Sequence, residues 1–489
     1  MRAWFERGGI LNYSRVLALA VLSGCFFGNL QAEEQTSKPN LIVIMSDDQG
    51  RWALGAYDEL IHTPNLDYLA KTGVRFDQAI SPVPVCSAAR ASFFTGKMPS
   101  QHGVHDFLSE DFAQKDGWLK GERLLSEDLQ EAGYRVGLFG KWHADNESWR
   151  PARGFDRWLS YDERDAPWIN QYLHAGTVHF SRDGEAEKFT GVQAHFLTEN
   201  AISFIDEPAD APFAIFLNYV EPHFPFEDLP ERLVAKYRPI ANDLVAPGGN
   251  STLGRPAMAG EVITNHTEQM AQYLAAVSLL DEQVGRILDA LQGREITEET
   301  LIVYTSDHGH MTGQYGLYGK GNGSIPQNLY QESINVPFIV SGPDAWVLSG
   351  QVRSEFITLC DLHATLLDVA FDDPRTSEGP GVSLKPLLQG KRPLDWRKYQ
   401  YAEYGNARMV HDGRWKLVTR YEPDGTYTEA WFDLAHPLKE RFESPAPSSA
   451  QQDSLRSARD MFFESYETEE KTGRRIWELP KHNAMERWR

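Results

Sequence analysis

The chain has 489 residues, and 48 Lys+Arg against 69 Asp+Glu leave a formal net charge of −21. With 41% hydrophobic and 24% charged residues it has the composition of a well-cored globular protein, which excludes a disordered chain; Gly 39 and Pro 27 exclude a collagen-like one. The acidity argues against a nucleic-acid partner, which would need a basic face to displace counterions, yet a few local cations can still build a site for a small anion.

The N-terminus reads as an export signal. Arg2, Arg7 and Arg15 precede the apolar stretch Val16 to Leu22, which continues without charge to Leu30, and Ala32 before Glu33-Glu34 offers a cleavage point. This predicts a signal peptide over residues 1–32, with no stable transmembrane segment, and an exported protein, periplasmic or secreted. A second reading is Leu22-Ser23-Gly24-Cys25 as a lipobox, which would leave Cys25 acylated. Three cysteines, Cys25, Cys86 and Cys360, are too few for a disulfide scaffold.

Short continuous apolar runs follow: Leu41–Met45, Tyr134–Phe139, Phe213–Leu217, Leu301–Thr305 and Val336–Val340. Such runs are expected of strands buried on both faces of a parallel sheet. Helical patterns lie between them at Asn65–Lys71, Leu124–Ala132 and Gln269–Leu291, the last with Met270, Leu274, Val277, Leu280, Val284, Ile287 and Leu291 at helical spacing. The alternation predicts an α/β fold, a large mainly parallel sheet sandwiched by helices. Beyond Pro386 the pattern changes to alternating, aromatic-rich segments at Tyr399–Tyr404, Ala407–His411, Trp415–Arg420 and Tyr427–Phe432, with Asp412-Gly413 and Asp424-Gly425 as turns. These predict a small antiparallel sheet, followed by a helix over Gln451–Glu467. The expected domains are 38–385, a catalytic α/β domain, and 386–489, a small C-terminal α+β subdomain.

The residues that follow the strands bear the chemistry. Leu41–Met45 ends in Ser46-Asp47-Asp48, Leu301–Thr305 in Ser306-Asp307-His308-Gly309-His310, Tyr134–Phe139 in Gly140-Lys141-Trp142-His143, and Phe213–Leu217 leads to Glu221-Pro222-His223. Ligands of open α/β sheets bind beyond the carboxyl ends of the strands, so these groups should converge. Carboxylates with one imidazole suit Ca²⁺ or Mg²⁺, and the imidazole also admits Mn²⁺ or Zn²⁺. Cys86 follows Pro82-Val83-Pro84-Val85 and opens an alanine-rich helix former, with Arg90 one turn on. A helix N-terminus beside an arginine favours negative charge. A buried structural thiol and a histidine-activated thiolate nucleophile both remain open readings of Cys86.

Taken in order, Pro39 to Gln49, Cys86-Ser-Ala-Ala-Arg90 with Ala91 to Gly96, Gly140 to His143, Pro222 to Phe226, Thr305 to Gly309, Lys320 and Tyr330 to Pro337 resemble the type I sulfatase family of the alkaline phosphatase superfamily. The likeness covers roughly residues 38 to 370. It implies that a maturation enzyme oxidises Cys86 to formylglycine, whose hydrate attacks sulfur and later expels sulfate. It further implies that Asp47, Asp48, Asp307 and His308, with the Cys86-derived group, hold Ca²⁺, ahead of Mg²⁺ or Mn²⁺. Arg90 would support the hydrate, Lys141 and Lys320 would grip the sulfate oxygens, His143 would act as base, and His223 would help protonate the leaving alcohol. His310, beside the metal motif, is a further candidate substrate contact. Two positions depart from common forms of the family: Ala88 where many members have proline, and His308 where some have asparagine.

The expected function is therefore an exported sulfatase acting on sulfate monoesters, with a sulfated carbohydrate as substrate because export favours a glycan met outside the cell. A phosphoester or phosphonate hydrolase of the same superfamily is the alternative, as is a non-catalytic carbohydrate-binding relative; Lys141, His143 and the Pro222-His223 element favour sulfate. Arg51, His105, Asp145, Arg150, His174 and His179 are read as loop residues that could border a pocket but are expected to be solvated or locally paired side chains rather than substrate contacts, and Cys360 as a helical core residue. N-x-S/T sites occur at Asn146, Asn250, Asn265 and Asn322.

Overall fold

The computed structural model describes residues 38–480 except 110–115, 146, 165–167, 246–254, 257–264, 372–376 and 437–438. The expected signal peptide, Cys25, Asn146 and Asn250 lie outside the described residues. Ten strands form one sheet: β1 (Asn40–Ser46), β2 (Val74–Phe76), β3 (Arg135–Gly140), β4 (Arg157–Tyr161), β5 (Ala175–Arg182), β6 (Glu185–Val192), β7 (Phe213–Asn218), β8 (Thr300–Ser306), β9 (Phe338–Ser341) and β10 (Gln351–Arg353). Their order is β10-β2-β9-β8-β1-β7-β3-β4-β5-β6. The centre, β8-β1-β7-β3-β4, is parallel throughout. Antiparallel pairs flank it at β8–β9 and β9–β2 on one side and at β4–β5 and β5–β6 on the other.

The apolar run of β1 is continuous because both of its faces are covered. Leu41, Val43 and Met45 enter one core with the helices α2 (Cys86–Thr95), α3 (Leu125–Glu131) and α6 (Leu359–Ala370). Ile42 and Ile44 point the other way, into a core built with α1 (Pro64–Thr72), α4 (Gln193–Asp206) and α5 (His266–Gly293). Strand alternation thus sets up a three-layer sandwich. Cys360 lies in α6, fully buried, as its apolar neighbours imply.

The second sheet has four antiparallel strands, β11 (Gln400–Tyr404), β12 (Ala407–His411), β13 (Trp415–Tyr421) and β14 (Tyr427–Asp433), in sequential order. Ala402, Tyr404, Ala407 and Met409 join the same core as Met45. Val410, Leu417 and Trp431 instead pack with Leu455 of α7 (Ser449–Ser465). The described residues, from Lys38 on, form one compact unit. Among the described residues no helix is long and apolar enough to cross a membrane.

One buried acid ties α5 to α1. Asp281 of α5 accepts hydrogen bonds from the backbone N–H of Leu66 at 2.8 Å and of Asn65 at 3.3 Å, and from the Asn65 side chain at 2.9 Å. It thereby satisfies donors in the first turn of α1, where a negative charge is also favoured by the helix dipole. Burial nevertheless outweighs these bonds and pushes its carboxyl up from 3.8 to about 6. The folded protein therefore holds this proton more tightly than the unfolded chain. The associated stability is fully present below about pH 3.8 and is lost as the pH rises through about 6. Asp281→Asn should accordingly compare better with the parent at pH 7 than at pH 4, by an amount on the order of 2 kcal/mol in urea unfolding. An identical difference at both pH values would contradict the assignment.

Candidate active site

Sheet register brings the acidic groups together. Ser46 of β1 pairs with Ser306 of β8, so the next residues, Asp47 and Asp307, emerge side by side at the carboxyl edge. Met45 is level with Asn218 of β7, and Asn218 with Gly140 of β3, which delivers Lys141 to the same edge. Gly140 is required there: it has φ 107°, and a Cβ would lie 2.0 Å from the Asn218 carbonyl oxygen. Lys141 then donates its backbone N–H to that oxygen at 2.8 Å. Cys86 is the first residue of α2, following an extended Val85 whose side chain makes no capping bond, so its thiol sits at the positive end of the helix.

The side chains form one buried cluster. Lys320 Nζ lies 2.7 Å from Cys86 Sγ and 2.5 Å from Asp48 Oδ1. His308 Nε2 is 3.3 Å from Cys86 Sγ and 3.3 Å from Asp48 Oδ1. Arg90, wholly buried, bonds Asp307 Oδ2 through Nε at 3.1 Å and the Lys141 carbonyl through a terminal nitrogen at 3.0 Å. Lys141 Nζ forms a short ion pair with Asp47 and lies 4.8 Å from the centre of the Tyr172 ring. His223 reaches Asp48 at 3.7 Å, and His310 reaches the same carboxylate at 3.5 Å. His143 donates from Nε2 to the Leu108 carbonyl at 2.9 Å, which leaves Nδ1 as its acceptor nitrogen, with Cys86 as neighbour. All eleven site residues expected from sequence therefore meet at this edge.

Charge density sets the protonation states. Burial alone would raise the Cys86 thiol, but Lys141, Lys320 and His308 hold it well below the usual thiol range. Burial likewise opposes ionisation of Asp48, and Lys320 with His223 overcomes it. Burial and the Asp47 charge push Asp307 up to about 7. Burial would hold His308 down, but Asp307 lifts it up to about 9. Burial keeps His143 below the ordinary imidazole value, so that it is neutral and can accept a proton near neutral pH.

A divalent cation fits this donor set. Asp47, Cys86, Asp307 and His308 each present one ligand atom within 4.8 Å of the others, and Asp47, Asp48, Cys86 and His223 form an overlapping group. Asp47 Oδ1 is buried with no hydrogen-bond partner and the Arg90 guanidinium 3.9 Å away, so this oxygen has capacity to ligate a cation. A cation among these carboxylates would also relieve the repulsion between Asp47 and Asp307.

The sequence profile of the sulfatase family matches residues 39–372, and that of the N-sulphoglucosamine sulphohydrolase C-terminal region matches residues 313–441. The chain belongs to the sulfatase family. An N-acetylglucosamine-6-O-sulfatase of Bacteroides thetaiotaomicron is 27% identical to it over 470 residues, covering 81% of this chain and 79% of that one. An ulvan-active sulfatase of Formosa agariphila is 29% identical over 383 residues, covering 74% and 68%. A structure solved in complex with its substrate D-glucosamine-2-N,6-O-disulfate shares the fold at TM-score 0.74 and 24% identity, covering 88% of this chain and 98% of that one.

Two aromatic residues of this sulfatase that the sequence patterns did not single out also pack against the cluster. The Tyr172 ring lies beneath Lys141 and stacks on His223 with centroids 4.1 Å apart. Tyr273, on α5, donates to the Asp48 carbonyl at 2.9 Å and stacks on His310 at 5.4 Å. On a helix whose apolar period already explained it, Tyr273 offered no separate signal. Several of the loop residues are locally paired, as expected, although His179 lies in a strand. His179 sits in β5 opposite Lys188, Asp145 accepts from the Trp118 N–H, and His105 bonds the Lys471 carbonyl at 2.7 Å.

Proposed function

We propose that this sulfatase, exported by its N-terminal leader, hydrolyses sulfate monoesters of a carbohydrate with a nucleophile derived from Cys86. The observation that supports this best is the position of Cys86: at a helix N-terminus, buried, with Lys320 at 2.7 Å and His308 at 3.3 Å. A carbohydrate substrate is supported by the relatives, one named for N-acetylglucosamine 6-O-sulfate chemistry and another for activity on ulvan. Oxidised to formylglycine by a maturation enzyme and hydrated, Cys86 would supply one hydroxyl to attack sulfur and a second whose deprotonation expels sulfate.

The surrounding residues divide the remaining work. Lys141 and Lys320 neutralise oxygens on sulfur as charge builds. His143, neutral and with a free acceptor nitrogen beside Cys86, takes the proton from the second hydroxyl. His223, at the half-buried rim, delivers a proton to the departing sugar oxygen, and His310 faces the same carboxylate as a substrate contact. Arg90 fixes Asp307 and the Lys141 backbone in place. Asp47, Asp48, Asp307 and His308 would hold a divalent cation, Ca²⁺ by the predominance of oxygen donors, which would add positive charge opposite the sulfate group.

The test is sulfate release from N-acetylglucosamine 6-sulfate and other sulfated sugars, set against a phenylphosphonate ester. Release of sulfate with negligible phosphonate hydrolysis is expected; the reverse preference would favour the phosphonate-hydrolase alternative. His223→Ala should lower kcat about 10²- to 10⁴-fold on a sugar sulfate, whose alkoxide needs a proton. On 4-nitrophenyl sulfate, which leaves as a stable phenolate, the loss should be much smaller. Equal losses on both esters would remove His223 from the acid role.

A further inference from the structure

His223, the leaving-group acid of the proposed reaction, gets little orientation from its own segment. Its side chain is 15% exposed at the rim of the site, and Nδ1 donates to the Phe224 carbonyl at 2.5 Å. That bond leaves Nε2 as the nitrogen directed at the cluster, 3.7 Å from Asp48 Oδ2 and so beyond hydrogen-bond reach of it. A single hydrogen bond does not fix the plane of a ring. Tilting of that plane would turn Nε2–H away from the departing oxygen, and proton transfer requires the two to be within hydrogen-bond reach.

The plane is set from outside the segment. The rings of Tyr172 and His223 are stacked with centroids 4.1 Å apart and planes 17° from parallel, a contact of face on face. Tyr172 is itself fixed. It ends a short 3₁₀ turn, Trp168–Tyr172, and is buried in the same core as Phe139, Leu159 and Tyr161. Gln193, the fully buried first residue of α4, clamps the backbone on both sides of it. The Gln193 amide nitrogen donates to the Gln171 carbonyl at 3.0 Å and to the Leu173 carbonyl at 2.5 Å. Its amide oxygen accepts the Tyr161 hydroxyl at 2.7 Å. A buried amide with these bonds made is rigid, so Tyr172 is a fixed plate against a partly exposed imidazole. Lys141 meets the same ring at 4.8 Å but is secured separately by its ion pair with Asp47.

We propose that Tyr172 is a positioning residue for the leaving-group step: its ring holds the imidazole plane of His223 so that Nε2 faces the ester oxygen. The ring does this and the hydroxyl does not. The proposal rests on the reading of His223 as the acid, and it gives Tyr172 no contact with substrate. A residue that only filled the core would affect turnover of every ester alike. One that acts through His223 lowers turnover only where the departing oxygen needs a proton.

The test measures kcat and KM of the full protein on N-acetylglucosamine 6-sulfate, 4-methoxyphenyl sulfate and 4-nitrophenyl sulfate, whose departing oxygens need a proton in decreasing order. Tyr172→Met and Tyr172→Leu remove the ring. Each should lower kcat about 10- to 100-fold on the sugar ester and less than about threefold on the nitrophenyl ester, with KM changed by less than about threefold. The methoxyphenyl ester should fall between. Tyr172→Phe, which keeps the ring, should stay within about threefold of wild type on all three. In a His223→Ala background Tyr172→Met should cost nothing further, because the two residues act as a unit. The ratio of rates on two esters does not depend on the fraction of protein that is folded, so a destabilised variant still tests the proposal. Equal losses on all esters, an undiminished loss in the His223→Ala background, or a Tyr172→Phe loss as large as that of Tyr172→Met would overturn it. If wild type releases sulfate from none of these esters, or His223→Ala itself loses equally on all, the functional reading fails and this inference with it. If those two results stand and the Tyr172 pattern is absent, only this inference fails.

Discussion

Cys86→Ala should reduce sulfate release by about 10⁴-fold or more in kcat, because removal of a nucleophile takes with it the covalent route that the rest of the site is arranged to serve. The fold should survive. Cys86 lies in the first turn of α2, its alanine counterpart suits a helix, and the thiol is small enough that its loss costs about 1 kcal/mol. The variant should thus retain near-wild-type unfolding in urea and have lost turnover. The two lysines that press on Cys86 would remain paired with Asp47 and Asp48, so no isolated charge is created. Turnover within tenfold of wild type would place the nucleophile elsewhere.

Arg90→Met should have the opposite signature, a large loss of stability. Arg90 is fully buried, with Asp307 at 3.1 Å and Asp47 at 3.9 Å, and both carboxylates are themselves fully buried. Burial opposes its charge, but these two acids raise its pKa, so the guanidinium stays charged in the core. Methionine fills much of the same volume and leaves Asp307 without its cation. Breaking a buried pair in this way costs about 3–5 kcal/mol, which urea unfolding measures as a lower midpoint. Excess Ca²⁺ should restore part of the loss, since a cation bound by the same carboxylates stabilises the folded state. A midpoint within experimental error of wild type would mean that Asp307 is neutralised by some other group.

The central parallel strands and the groups at their ends were legible because physics leaves those segments little choice. A run such as Leu301–Thr305, buried on both faces, has to be continuously apolar, and the polar residues that interrupt it mark the sheet edge. The strands found match the expected ones to within one or two residues, with β8 beginning at Thr300 and β9 at Phe338. The hairpin β5–β6 was not legible. Its residues Thr177, Glu185 and Lys188 face solvent on an outer edge, and its alternation is interrupted by Gly176 and Gly191. Tyr172 was hidden for a different reason. It approaches Lys141 and His223 only through tertiary packing, and nothing in its neighbours along the chain announces that meeting.

His308 shows how the structure sharpens a departure from common family forms. Its imidazole stands between Cys86 and Asp48, and its Nδ1 donates to the Gly309 carbonyl at 2.9 Å, which leaves Nε2 as the nitrogen directed at the cluster. That hydrogen bond fixes the ring orientation, as partners of ligating histidines commonly do.

The most direct measurement is mass spectrometry of the peptide that contains Cys86, from protein made in its native host and shown to release sulfate. The account predicts formylglycine, as aldehyde or hydrate, in place of the thiol. A fully unmodified cysteine in an active preparation would contradict it.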